Sequence, residues 1–142
     1  MKGDVLPDSD HVSRLCRPRT IVGGEITGAA FLLRPEEPYL SVNWLEFLKA
    51  NGRKAELAEI RRCIRLTLGA TARLAVLNVG RSRKYVRENS PDNRDLLFAH
   101  EPKTDPGAED ESHSGIFNTR SEDDLIAELL VETVEDHYPA RS

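Results

Sequence analysis

The chain has 142 residues, 39% of them hydrophobic and 31% charged, with a net charge of −4. That balance belongs to a globular protein with one modest core and excludes a disordered or fibrous chain. Its longest apolar runs, AAFLL at 29–33 and LAVL at 74–77, fall far short of the roughly 20 residues that a membrane helix needs.

The opening residues MKGDVLPDSDHV hold three aspartates and a proline and no apolar stretch, so no secretory signal is expected and the cytoplasm is the predicted location. Residues 1–9 are expected to form an irregular lead-in. Ser9 or Asp10 then suits the cap of a short helix running to about Cys16, with Pro18 as its stop. Gly23, Gly24 and Gly28 bracket a turn. AAFLLR and YLSV, on either side of the PEEP turn at 35–38, are predicted as two short strands.

At SVNWLEFLKANG the period changes, and Trp44, Leu45, Phe47 and Leu48 suit one side of a short helix ended by Asn51-Gly52. Asn43 is read there as a group that satisfies backbone, and Trp44 as a core anchor. A longer helix is predicted over 53–68, with Leu57, Ile60, Ile64 and Leu68 at three- and four-residue spacing. TARLAVLNVG, apolar at its centre and bounded by Gly69 and Gly80, reads as a strand buried on both faces in the middle of the sheet.

LLFAH (96–100) and GIFN (115–118) are further strand candidates, separated by a polar, mobile loop at 102–115. Ser121, followed by three acidic residues, is expected to open a helix over 122–136. Residues 139–142 are the tail. The predicted fold is a single α+β domain over residues 10–138, with a small mixed or antiparallel sheet packed by two main helices, 53–68 and 122–136.

Charge is unevenly distributed. Residues 1–94 carry 17 Lys and Arg against 11 Asp and Glu, a balance of +6, whereas residues 95–142 carry 3 against 13, a balance of −10. A basic body with an acidic tail suits either an anionic partner or two parts of the chain docking on each other. The stretch GRSRKYVR places Arg81, Arg83, Lys84 and Arg87 around Tyr85, a pattern in which cations meet phosphates and the ring stacks on a base. Arg14 and Arg17 are further candidates for holding an anion.

Catalytic candidates are sparser. His11 and His113 each lie close to a serine, but only His11-Val12-Ser13 fits the H-x-[ST] pattern by which paired histidines grip a phosphate, one as base and one as acid. Cys16, with arginines at 14, 17 and 19 to favour its thiolate, could act as a nucleophile with a histidine base, Asp105 or Asp110 orienting His113. No zinc-type ligand pair and no phosphate-cradling glycine loop is present, so neither a metal nor a cofactor is expected. Both cysteines are read as reduced thiols. The leading expectation is a small cytoplasmic binding or accessory module acting through a charged surface on a protein or nucleic-acid partner. The alternative is a hydrolase or phosphoesterase using His11 and His113, or Cys16 with a histidine.

Overall fold

The computed structural model describes residues 2–64, 67–121 and 123–141. Its centre is a six-stranded, wholly antiparallel sheet, so the fold is α+β. The strands, in chain order, are β1 (His11–Cys16), β4 (Leu40–Trp44), β5 (Arg73–Asn78), β6 (Leu97–His100), β7 (His113–Phe117) and β8 (Val134–Pro139), and their order across the sheet is β6-β7-β4-β1-β5-β8. A small hairpin of β2 (Ile21–Val22) and β3 (Glu25–Ile26) stands apart. The described residues form three α-helices, α1 (Arg53–Cys63), α2 (Val79–Asn89) and α3 (Asp124–Glu132), of which α2 lies outside the segments expected to be helical.

Alternation along the strands divides the core in two. Val12, Cys16, Leu40, Val42, Ala75, Leu77 and Ile116 face one way, under α2, α3 and a 3-10 turn at Gly28–Phe31. Leu15, Leu74 and Val76 face the other way, under α1, whose Leu57 and Ile60 are buried against them.

Several expectations are corrected. Residues 10–16 are not a helix: all six residues of β1 pair with β5, from His11 opposite Asn78 to Cys16 opposite Arg73, and the ladder outweighs a local capping signal. Asp10 caps no helix; its Oδ2 accepts a hydrogen bond from Trp44 Nε1 at 2.8 Å. AAFLLR is no strand either, because Gly28–Phe31 winds into a 3-10 turn that buries Ala30 and Phe31 in the core. The helix predicted over 53–68 ends at Cys63, with Ile64 already extended; Arg65 and Leu66 lie outside the described residues. GRSRKYVR is α2, its first turn capped by the Asn78 side chain, which accepts from Arg81 N–H at 2.8 Å.

The C-terminal helix is also shorter than its apolar pattern. Asp123, rather than Ser121, caps α3 by accepting from Ile126 N–H; Glu122 lies outside the described residues. The helix closes at Thr133, whose N–H and hydroxyl both donate to Leu130 O. From there the chain turns back as β8 and pairs with β5, with a bulge at Val76/Leu77. Thus β5 is buried on both faces as expected, but lies next to the margin rather than in the middle.

Both ends of the described chain are tied to the sheet. Gly3 N–H donates to His100 O, His100 N–H to Asp4 O and Leu6 N–H to Phe98 O, so residues 3–6 run along the outer edge of β6 and bury Leu6. Beyond β8, Ala140 N–H donates to Ala72 O.

Gly115 sits in β7 under an aromatic lid. A Cβ placed there would stand 2.5 Å from Tyr39 Cδ1 and 2.9 Å from Phe117 Cε1. Gly115→Ala is therefore expected to displace Tyr39 and cost about 1–3 kcal/mol, read as a lower urea midpoint with an unchanged denaturant slope.

Candidate functional site

β1 and β4 are paired only at Val12–Trp44 and Ser13–Asn43. Beyond those two pairs the strands part, and the opening widens into a cavity of about 670 Å³. Its floor includes Leu15, Ser41, Asn43, Leu74 and His113. Ile60, Cys63 and Ile64 form the side near α1, while the connection from β1 to β4 and the loop bearing Lys103, Ala108 and Asp110 close the rest. The lining is apolar over much of its extent but carries five cations, Arg14, Arg17, Arg19, Arg34 and Lys103, against two carboxylates, Glu37 and Asp110.

Arg14 occupies the gap itself. Its Nε donates to Ala30 O at 2.9 Å and its Nη1 to Ser41 O at 2.8 Å, so the guanidinium replaces the strand partner that Ser41 lacks where the sheet opens. Among the described residues it forms no ion pair with a carboxylate. Burial pulls its pKa below the ordinary arginine value, partly countered by Cys16 and Glu37, yet a guanidinium keeps its proton in a protein. The result is a fixed positive charge beside a cavity.

Asp110 is already engaged. Asn43 Nδ2 lies 3.0 and 2.9 Å from its two carboxylate oxygens and 2.8 Å from Ser112 Oγ, and Ser112 Oγ donates to Asp110 Oδ1 at 3.1 Å. Together with the Lys103–Asp110 backbone pair, these bonds tie the 102–115 loop to β4. Asn43 thus holds a carboxylate rather than backbone, a role that depends on a residue 67 positions away.

His113 lines the same cavity and is 4% exposed. Its Nδ1 lies 2.8 Å from Glu101 O. A carbonyl can only accept, so Nδ1 carries the proton and the neutral ring presents a lone pair at Nε2. Burial lowers the His113 pKa and favours that neutral form. Nε2 is buried and has no partner among the described residues. His113 stands opposite Asn43, which stands opposite Ser13, so three polar side chains cross one face of the sheet in a row. Ser13 Oγ is likewise buried and unpartnered.

The catalytic candidates do not gather. His11 donates its N–H to Glu46 Oε1, and its ring lies 2.7 Å from Glu46 Oε2 and 3.5 Å from Glu135. It shares a sheet face with His113, but two strands across and two residues along put their Cα atoms about 12 Å apart. Cys16 points to the opposite face from His113. Its thiol donates to Arg14 O, and burial pushes its pKa up to about 11, more than neighbouring Arg14 lowers it. Native protein at pH 8 is expected to leave Cys16 unmodified by a disulfide-exchange reagent and to react first at half-buried Cys63, as peptide mapping would read.

The α2 candidates are largely engaged with the chain's own acids. Arg81 lies 3.6 Å from Glu135, Arg83 pairs with Asp8 and Asp95, and Tyr85 OH donates to Glu132 at 2.6 Å. Lys84 and Arg87 are exposed. Arg17 lines the cavity with Arg14. Arg19 also lines it, as do Arg34 and Lys103, although nothing in the local sequence of the last two singles them out. Among the described residues no group of three or more metal-ligating side chains is placed to hold an ion, and no helix is long and apolar enough to cross a membrane.

No protein family, curated protein or solved structure matches the chain.

Proposed function

We propose that the chain is a binding module whose ligand is a small amphipathic anion, an apolar body carrying a carboxylate or phosphate. Arg14 carries the reading. A guanidinium held by two backbone carbonyls, with no ion-paired carboxylate among the described residues, beside a cavity that counts five cations to two acids, calls for an anion. The volume falls within the range of small-molecule sites, roughly 300–1,000 Å³, and Leu15, Ile60, Ile64 and Leu74 offer walls for an apolar body.

The broader expectation, a charged surface acting on a protein or nucleic acid, narrows to this cavity because Arg81 and Arg83 of α2 are paired with Glu135, Asp8 and Asp95, and Tyr85 is bonded to Glu132. A hydrolase has less support, since Cys16 and His113 face opposite sides of the sheet and His11 is held by Glu46. Titration of the full chain with benzoate, phenyl phosphate and uncharged benzamide tests the proposal. Both anions are expected to bind at least about tenfold more tightly than benzamide, and more weakly as salt is raised. Equal binding of all three would sink it.

A further inference from the structure

We infer that His113 is the second anchor of the ligand, its Nε2 accepting a hydrogen bond from a hydroxyl or N–H on the body of the anion. The ligand class then becomes a hydroxy- or amino-substituted carboxylate or phosphate. This rests on the anion-cavity reading above and adds to it a selectivity that Arg14 cannot provide, because Arg14 only donates.

Three observations carry the inference. Nδ1 is committed to Glu101 O, which leaves Nε2 as an acceptor and sets the polarity of whatever meets it. Nε2 is buried without a partner on a residue that lines the cavity, and an unmet buried acceptor is costly until a donor reaches it. Finally, both anchors line the same cavity. Arg14 enters it from the Cys16 face of β1 and reaches Ser41 O in the gap between the strands, while His113 enters it from the other face on β7, where Ser41 pairs with Gly115 and Asn43 with His113. A ligand lying in that opening can present its acid to one and a donor to the other.

The preference is for a donor on the ligand and against a second acceptor. Asp110, the nearest carboxylate in the lining, is tied up by Asn43 and Ser112 and does not compete for the same group.

The test compares benzoate with 3- and 4-hydroxybenzoate on the full chain, following heat of binding and the nitrogen resonances of the histidine rings. The hydroxylated compound of matching geometry is expected to bind about tenfold more tightly than benzoate and to move the His113 Nε2 resonance, which benzoate leaves in place. His113→Phe should erase the difference while still binding benzoate. The resonance shift in the unmodified chain decides the matter if that variant fails to fold. Equal binding of all three compounds, with the Nε2 resonance unmoved, overturns the role of His113 but leaves the anion cavity standing. Failure of benzoate and both hydroxybenzoates to bind overturns the cavity reading, and this inference with it.

Discussion

Phe31→Ala is expected to lower stability by about 3–5 kcal/mol, the usual cost of deleting a fully enclosed phenyl ring. Phe31 is 1% exposed and packs in the larger core from a 3-10 turn laid against α3. Against a total stability on the order of 5–15 kcal/mol, that loss is a large fraction of the whole. It should appear as a drop in melting temperature of roughly ten degrees. A second effect should accompany it. Ala30, adjacent in the turn, supplies the carbonyl that holds Arg14 Nε, so a loosened turn also loosens the guanidinium. Benzoate affinity measured well below the melting point should fall in Phe31→Ala but not in Val86→Ala, which removes packing from the same core on α2. If both variants bind alike, the turn does not position Arg14.

Arg14→Met is expected to weaken benzoate and phenyl phosphate binding by about 10- to 100-fold, the value of a hydrogen-bonded charge contact of roughly 1.5–3 kcal/mol. Its effect on the unliganded chain combines two opposing terms. Removing a half-buried charge that pairs with no acid among the described residues relieves a desolvation cost, while Ala30 O and Ser41 O lose their donors, each costing about 1–3 kcal/mol if it stays dry. The carbonyls should win, because the cation still has cavity on one side of it whereas both carbonyls point into the gap. A net destabilisation of about 1–2 kcal/mol is therefore expected in urea. Arg14→Lys should retain part of the affinity, since a point charge survives but the planar fork does not. Undiminished anion binding by Arg14→Met would remove the basis of the proposed function.

The elements legible in the sequence are those whose signal is local. LAVLN announces β5 because its apolar centre is bounded by glycines, and Leu57 and Ile60 announce α1 by their spacing. The errors have a common physical source. In HVSRLC, Val12 and Cys16 are four apart, which suits one face of a helix as well as one face of a strand; only pairing with β5, some 60 residues on, decides between them. In the C-terminal segment the apolar rows run past Glu132 without a break, and the stop comes from the Thr133 hydroxyl bonding back to Leu130 rather than from glycine or proline. The cavity was illegible for the same reason. Arg14 and His113 could each be picked out as candidates, but the place where they meet is a gap between strands, a property of register and of no residue type. Arg34 and Lys103 join it only because their loops close over that gap.

The margins of the sheet bear on how this chain can meet another. On one side residues 3–6 already fill the hydrogen-bonding edge of β6. On the other, β8 presents exposed Glu135 and Asp136 and ends in Pro139, which has no N–H to offer. Charge and proline are the means by which exposed strands resist recruiting a neighbour. Growth of the sheet from one molecule into the next is thus discouraged at both ends, which leaves association to surfaces other than the strand edges of this sheet.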